Sequence, residues 1–221
     1  MDLNLLKKDL QLEKEKIDID KRIDFSNSFK VELSLTLKQN QNMLNKDEIK
    51  RIIIYKESVI SNNIFNLFEV FNINKAYEFL LENLNFDISF PLVEKIVETL
   101  SFYDNDDIFF NSNAPKNTEA ELFMNKQKRK LDFENFLNLY YDQKSKLKPI
   151  ELAAFVLENI YNMKSLYNLN KILSILFMNF ILIKNSYLPI IFDDFDNLNN
   201  TFETIYNKEI LQINNFLNLA K

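Results

Sequence analysis

The chain of 221 residues contains no glycine and only four prolines. Glycine enters left-handed backbone conformations at no steric cost, so its absence removes the easiest route to tight hairpins and to phosphate-wrapping loops. The P-loop and the G-x-G-x-x-G dinucleotide turn are both excluded, because each needs glycine at fixed positions. Such a chain favours long helices joined by simple connections.

Apolar residues recur at intervals of three and four along most of the chain, which predicts an all-α protein. We predict an N-terminal helical extension over residues 1–24 and one helical domain over residues 25–221. No internal repeat or linker indicates a second domain. The predicted helices cover residues 3–23, 25–38, 67–84, 90–103, 131–141, 149–163, 170–185 and 198–221, and a further helix begins at Asp47.

Other missing residue types restrict the chemistry. The chain has no histidine and no cysteine, which removes imidazole bases, thiol nucleophiles, disulfides and the usual zinc ligands. The net charge of -5 gives no basic footprint for DNA or RNA, so we expect no nucleic-acid partner. The first 16 residues are charged throughout, and the longest apolar run, residues 172–183, is shorter than the roughly 20 residues of a membrane span. We therefore expect a cytoplasmic protein without membrane attachment.

Residues 104–117 differ from the rest of the chain. Acidic residues are followed by Ile108-Phe109-Phe110 and then by a segment rich in asparagine, serine and proline. This composition predicts a turn-rich loop or the tip of a short hairpin. It is the one candidate for β structure in the sequence.

Residues 149–192 have the pattern helix, short polar loop, very apolar helix. The loop carries Lys164, Asn168, Asn170 and Lys171 at the start of the second helix. Free backbone N–H groups and the helix dipole favour an anion at such a position. From composition alone, an ordinary helix–helix connection with solvated lysines is the simpler interpretation.

The order of residues in this stretch resembles the core of the Fic family, the Fido-fold enzymes that transfer AMP or related groups to protein hydroxyls. The matching positions are Ala153-Ala154, Met178-Asn179, the apolar run 180–183, Lys184, Tyr187, Pro189 and residues 190–192. The resemblance implies a Fic/Fido-like helical bundle with its core at residues 149–192. It also implies a short β-hairpin flap at residues 107–123, which in the family aligns a target segment by strand pairing.

The departures from the family motif concern its chemistry, and only Asn170 is retained. The catalytic histidine falls on Lys164, the aromatic anchor on Leu166, the metal-binding acid on Asn168, the two glycines on Leu169 and Lys171, and the two arginines on Ile172 and Ile175. An insertion of one residue before Met178 would instead place Lys171 at the first arginine position. Both alignments remain open.

These replacements remove the groups that phosphoryl-type transfer needs. Lys164 is a cation near neutral pH rather than a base, and Asn168 offers a neutral oxygen where Mg²⁺ prefers a carboxylate. The side chain of Ile172 cannot donate a hydrogen bond to phosphate. We therefore assign no catalytic residue and no metal site, and we expect no cofactor; ATP and Mg²⁺ are implied only if the loop works in a non-standard way.

Two further segments resemble parts of Fic proteins. Residues 36–49 are similar to the inhibitory helix, with Thr36 at its first conserved position and Asn40 in place of the inhibitory glutamate. Residues 71–77 are similar to the family's N-x-x-x-A-Y helix. Within the expected flap, Phe109, Phe110 and Asn111 are the candidates for target binding.

Three functions follow from these patterns. The leading hypothesis is a degenerate Fic-like domain that has lost AMP transfer and acts by binding a protein partner, with homo-oligomers compatible with that role. The first alternative is a divergent Fic nucleotidyltransferase that modifies protein hydroxyls through a non-standard loop. The second is a helical adaptor unrelated to Fic proteins.

Overall fold

The computed structural model describes residues 19–37, 44–57, 64–100, 119–163 and 169–218. Within these ranges every regular element is helical, which confirms the predicted all-α class. The α-helices are α1 (Ile19–Leu37), α2 (Lys46–Ile53), α3 (Ile64–Glu82), α4 (Phe90–Leu100), α5 (Glu119–Gln143), α6 (Pro149–Tyr161), α7 (Asn170–Lys184) and α8 (Thr201–Asn218), with a 3₁₀ turn at Leu198–Asn200.

Helix α7 forms the centre of the main core. All of its residues from 172 to 182 are buried, so this helix contacts protein on every side. Helix α6 packs along it more extensively than any other pair of helices, and α3 also contacts it. Helix α8 packs on α6, and α4 packs on α3. An apolar helix without a polar face is stable only in such an interior position, which is why α7 organises the fold.

A smaller hydrophobic cluster lies where α1, α2 and α3 meet. Its members are Val31, Leu44, Ile49, Ile52, Ile53 and Val70. A capping box stabilises the start of helix α2. The Asn45 side chain accepts a hydrogen bond from the Glu48 N–H at 3.0 Å, and Glu48 Oε2 accepts one from the Asn45 N–H at 2.7 Å. The box satisfies two N–H groups that a short helix would leave exposed.

Two predicted boundaries differ from the structure. Helix α1 runs without interruption through residues 24 and 25, where the apolar spacing predicted two separate helices, 3–23 and 25–38. Helix α5 begins at Glu119, so residues 119–123 are helical and not part of a β-hairpin. Its first turns are rich in glutamate, lysine and alanine, which are strong helix formers but give no apolar period. The rest of the expected flap, residues 107–118, lies outside the described residues.

None of the helices in the described ranges has the length and apolar content that a bilayer crossing requires.

Asp87, in the connection between α3 and α4, ties three parts of the chain together. Its carboxylate accepts hydrogen bonds from Lys144 Nζ at 2.7 Å and from Lys184 Nζ at 2.9 Å. Lys144 follows α5, and Lys184 is the last residue of α7. The neighbouring Tyr141 hydroxyl donates to the Ile88 carbonyl at 3.0 Å. The ends of α5 and α7 are thereby joined to the α3–α4 connection.

The two lysines hold the pKa of Asp87 below its ordinary value. Such a carboxyl group stabilises the folded protein fully when the pH is above the group's pKa in the unfolded chain, which is about 4. The stabilisation is lost as the pH falls through the lower pKa of the folded state. The Asp87 side chain is 38% exposed, so solvent screening limits the effect to about 1 kcal/mol.

We expect Asp87→Asn to lower the midpoint of thermal unfolding by about 2–4 °C at pH 7. The difference from the unmodified protein should shrink as the pH falls below about 4, because the native carboxyl group is then protonated too. Circular dichroism melts between pH 3 and pH 7 measure both effects. Asp142→Asn, at an exposed position of α5, is the control; a gap that stays constant with pH would contradict the ionic role of Asp87.

Candidate functional site: the α6–α7 connection

The candidate site is the connection between α6 and α7, whose helices are defined by strong local signals. Pro149 occupies the first turn of α6, where its missing N–H is not needed. Glu151 Oε2 accepts a hydrogen bond from the Lys148 N–H at 2.8 Å and satisfies one free donor at that helix start. Lys164, Leu166 and Asn168 of the predicted loop lie outside the described residues, whereas Asn170, Lys171 and Ile172 are described.

Asn170 joins the two ends of the connection. Its Nδ2 atom donates to the Tyr161 carbonyl at 2.8 Å and to the Met163 carbonyl at 2.7 Å. These carbonyls belong to the last turn of α6 and the residues after it, which lack partners within the helix. Both amide hydrogens of the one retained motif residue are therefore used in holding α7 against α6.

The two positions aligned with the family's arginines belong to the core. Ile172 is 3% exposed and Ile175 is fully buried, and both lie in the main hydrophobic cluster. Their side chains pack among other apolar groups and have no access to an anion bound at the helix start. In this alignment the structure offers no side chain that binds phosphate at either arginine position.

Lys171 is the described cation closest in sequence to the loop, and its side chain is exposed. Its Nζ atom lies 5.3 Å from the centroid of the Phe195 ring. Phe195 also contacts Tyr161, at 4.6 Å between ring centroids, and Phe192, at 5.1 Å. The ammonium group is thus placed on an aromatic surface at the first turn of α7, where a cation–π contact contributes about 0.5–1 kcal/mol.

Asn179 fixes the segment that follows α7. Its Nδ2 atom donates to the Ile190 carbonyl at 3.0 Å and to the Ile175 carbonyl at 3.1 Å, and its Oδ1 atom accepts from the Ile190 N–H at 2.8 Å. The side chain is fully buried. Asn179 therefore satisfies both backbone groups of Ile190 in the interior and takes the place of a strand partner for the extended chain after Tyr187.

A buried carboxylate supports the same segment from α8. Glu209 is fully buried, and its Oε1 atom accepts a hydrogen bond from the Leu188 N–H at 2.7 Å. Burial raises the pKa of the neighbouring Tyr187 hydroxyl, and the nearby Glu209 and Tyr206 add to that increase. The exit from α7 is thus held by one polar side chain of α7 and one of α8.

Ala153 and Ala154 are buried, at 0% and 4% exposure, on the face of α6 that meets the core. Their small side chains allow α6 and α7 to approach closely. Thr36 is half-buried in the last turn of α1. The other candidates from the resemblance, Asn40, Phe109, Phe110 and Asn111, lie outside the described residues.

No group of three or more acidic side chains that could hold a metal ion occurs in the described part of the chain. Asp193, in the acidic segment after α7, is instead paired with Lys208 Nζ of α8 at 2.5 Å. This carboxylate therefore joins the segment after α7 to α8 by an ion pair.

Asn179 matched a sequence pattern, but its backbone contacts were not predicted from it. The contacts of three other residues were not predicted either: Asp87, Glu209 and Asn74 of α3, whose Nδ2 atom donates to Ser34 Oγ of α1 at 2.9 Å. An asparagine inside the apolar run 172–183 was the available signal for Asn179, because a polar group in such a helix needs a buried partner. For the other three no local signal exists.

The connection can therefore hold two helices together and present one cation on an aromatic surface, while its described residues supply no base, no metal ligand and no arginine. A scan against known protein families finds no matching family model, and a search of curated proteins finds no match either.

Proposed function

We propose that this chain is a degenerate Fic-like helical domain that has lost nucleotidyl transfer and acts by binding a protein partner. The observation that supports this proposal most directly is the burial of Ile172, at 3% exposure, where the resemblance expects an arginine that clamps phosphate. An isoleucine enclosed by the core contributes to packing and nothing to anion binding. Residue 172 thus stabilises the core and does not bind phosphate.

The contacts of Asn170 agree with this proposal. Both amide hydrogens of Asn170 donate to carbonyls at the end of α6, and its Oδ1 atom is buried without a hydrogen bond among the described residues, so this side chain has no donor left for a phosphate. Electrostatic stabilisation of a transferring phosphoryl group requires several preorganised donors and cations together. Among the described residues, the first turn of α7 retains only the ammonium group of Lys171.

Large side chains on the surface agree with a binding role. Tyr55, Phe71 and Phe86 are 58%, 46% and 64% exposed. Aromatic residues are enriched among the anchors of protein interfaces, because they bury a large area at a small cost in side-chain entropy. They support a protein partner more than they support a small-molecule substrate.

Calorimetric titration with ATP, with and without Mg²⁺, tests the loss of nucleotide transfer. We expect no heat of binding up to millimolar nucleotide and no added mass on the protein after incubation with it, as measured by intact mass spectrometry.

Lys171→Met separates this result from the divergent-enzyme alternative, because it removes the described cation at the first turn of α7 and keeps much of the side chain's apolar length. Mg²⁺-dependent binding in the micromolar range that disappears in Lys171→Met, or a nucleotidyl adduct on a hydroxyl, would contradict the proposal. Either result would support the divergent nucleotidyltransferase, and loss of binding in Lys171→Met would assign the arginine's role to Lys171.

A further inference from the structure

Between residues 127 and 143, helix α5 packs one face on the core and exposes another. Phe133, Phe136 and Tyr140 are buried in the main hydrophobic cluster. On the exposed face, Leu131 is 55% accessible and Leu139 is 48% accessible. Single exposed leucines are common on protein surfaces. These two lie about two turns apart on the same side of one helix, so the residues around them decide whether they form a binding surface.

Five exposed residues form a stripe along this face of α5. Their positions are spaced by three or four residues, so all of them lie within about 40° of one line along the helix. The five residues of the α5 stripe are Lys128, Leu131, Asn135, Leu139 and Asp142. The stripe therefore has a basic residue at one end, an acidic residue at the other, and an asparagine midway between two leucines.

The order of residues in the α5 stripe is self-complementary about Asn135. Leu131 and Leu139 lie four residues on either side of it, and Lys128 and Asp142 lie seven residues on either side. A second copy of α5 that runs antiparallel about a two-fold axis at Asn135 therefore places each Leu131 against Leu139 of the other copy. Each Lys128 then meets Asp142 of the other copy. An isologous two-fold interface requires self-complementarity of this kind.

Other arrangements of the same two helices fit less well. A parallel pair would place Lys128 against Lys128 and Asp142 against Asp142, and like charges repel each other. A shift of the antiparallel pair by four residues, in either direction, would place each leucine against an asparagine or a glutamine. The antiparallel register centred on Asn135 pairs both leucines and both charges at once.

The charges at the ends of the α5 stripe favour a charged partner over an uncharged one. Lys130 pairs with Glu134 along the helix, at 3.9 Å, but neither Lys128 nor Asp142 forms an ion pair in the described part of the chain. Asp142 also lies in the last turn of α5, which contains no basic residue. The negative end of the helix dipole disfavours a carboxylate there. A lysine from a second copy of α5 would offset this unfavourable interaction.

We propose that this chain forms a homodimer through the α5 stripe, with two α5 helices antiparallel about a two-fold axis at Asn135. The four leucines form the apolar centre, and the two Asn135 amides form hydrogen bonds to each other across the axis. Lys128 and Asp142 form an ion pair at each end. A polar residue at the centre of a helix pair fixes the register at a cost in stability. The inference goes beyond the proposed function and does not depend on the loss of nucleotide transfer.

The interface is small, so the dimer should be weak. Two helix faces of about four turns each bury less than the roughly 1,200–2,000 Å² of a stable complex. We expect a dissociation constant of about 10–100 µM. At the low micromolar concentrations of circular dichroism the chain is then mostly monomeric, and the thermal melts of Asp87→Asn and its control report on the monomer.

Sedimentation equilibrium of the full chain at low salt, from about 5 µM to about 500 µM, measures the association. We expect the average mass to rise with concentration from 26.4 kDa toward twice that value. Lys128→Glu and Asp142→Lys each place like charges at both ends of the dimer, so each should weaken it about tenfold. The double variant Lys128→Glu with Asp142→Lys restores both ion pairs in reversed polarity and should dimerise like the unmodified chain.

Leu139→Gln tests the apolar centre. It should weaken the dimer at least about tenfold, because the two-fold symmetry removes two leucine contacts at once. Leu211→Gln, at a leucine of α8 that is 60% exposed, is the matched control and should leave the dissociation constant unchanged. Both leucines are exposed, so neither substitution disturbs the core.

Disulfide cross-linking tests the register, and it is specific because the chain contains no cysteine. Asn135→Cys brings two thiols together at the axis, where a disulfide forms across Cα distances of about 4.4–6.8 Å. Asn138→Cys is the control, because the antiparallel register separates the two copies of residue 138 by about 9 Å along the helix axes. We expect mild oxidation to link Asn135→Cys several-fold faster than Asn138→Cys.

Any of four results would overturn the inference. They are a chain that stays monomeric at about 500 µM, a Leu139→Gln dimer as strong as that of Leu211→Gln, a double charge variant that is not rescued, and equally fast cross-linking at residues 135 and 138. Equal cross-linking would indicate parallel helices, and a dimer that none of the variants weakens would use another surface. The nucleotide titration reports on the α6–α7 connection and not on α5, so a failure here leaves the loss of nucleotide transfer standing, and the reverse also holds.

Discussion

Ile172→Arg should destabilise the protein by about 4 kcal/mol or more and should not restore nucleotide binding. Ile172 is 3% exposed within the main core, so an arginine there would place a guanidinium group among apolar side chains. An unpaired buried charge costs several kcal/mol, and the longer side chain would also overpack the interior. For a chain of this length the midpoint of thermal unfolding should fall by about 10 °C or more.

Urea and thermal unfolding measure the loss of stability, and titration with ATP and Mg²⁺ measures any gain in binding. Lys171→Arg is the matched control, since it introduces the same group at the adjacent exposed position and should leave stability within about 0.5 kcal/mol. An Ile172→Arg protein that is as stable as the original and that binds nucleotide would show that residue 172 faces a site. It would refute our account of the α6–α7 connection.

The helices that form the core could be predicted closely from the sequence. Helices α6 and α7 begin at Pro149 and Asn170, as predicted, and α7 ends one residue before the predicted Asn185. Proline at a helix start, a long apolar run and a polar connection are all local signals. They determine where a buried helix begins and ends without any knowledge of its neighbours.

Helices α1 and α5, which are rich in charged residues, could not be predicted as well, because the helical spacing of their apolar residues is weak. The early turns of α5 hold Leu122, Phe123 and Met124 in one run with polar residues after it, so apolar spacing indicated a helix only from about Leu131, although helix propensity carries it back to Glu119. For α1, the predicted helices 3–23 and 25–38 left a break at residue 24 that the backbone does not make. Hydrophobic periodicity detects packed faces, and it gives no signal over turns whose apolar residues lack a helical period.

Only those features of the candidate site that depend on neighbouring residues in the sequence could be predicted. The apolar run that begins at Ile172 already indicated a buried side chain at the aligned arginine position. The polar contacts that organise the fold around the site join residues far apart in sequence: Asp87 meets Lys184, Asn74 meets Ser34, and Glu209 meets Leu188. No spacing rule in a single sequence reports such pairs, because they depend on how the helices pack.

Asn179→Ala should be the second strongly destabilising change, with a loss of about 3–5 kcal/mol. The substitution leaves the Ile190 N–H and carbonyl without their side-chain partners at a fully buried position. Each unsatisfied buried group costs about 1–3 kcal/mol, and the missing side chain also leaves a cavity. The segment after α7 would then have to reorganise or admit water, and hydrogen exchange at the Ile190 amide should become much faster.

Urea unfolding followed by circular dichroism measures the stability change, and Asn159→Ala is the control. Asn159 also donates from Nδ2 to a carbonyl four residues earlier, Phe155 at 2.8 Å, but it is only partly buried and forms no hydrogen bond to a distant segment among the described residues. Its loss should cost about 1 kcal/mol or less. If the two variants were equally stable, Asn179 would be an ordinary helix residue with a local bond. The extended chain from Tyr187 to Phe192 would then be held by Glu209 and apolar packing alone.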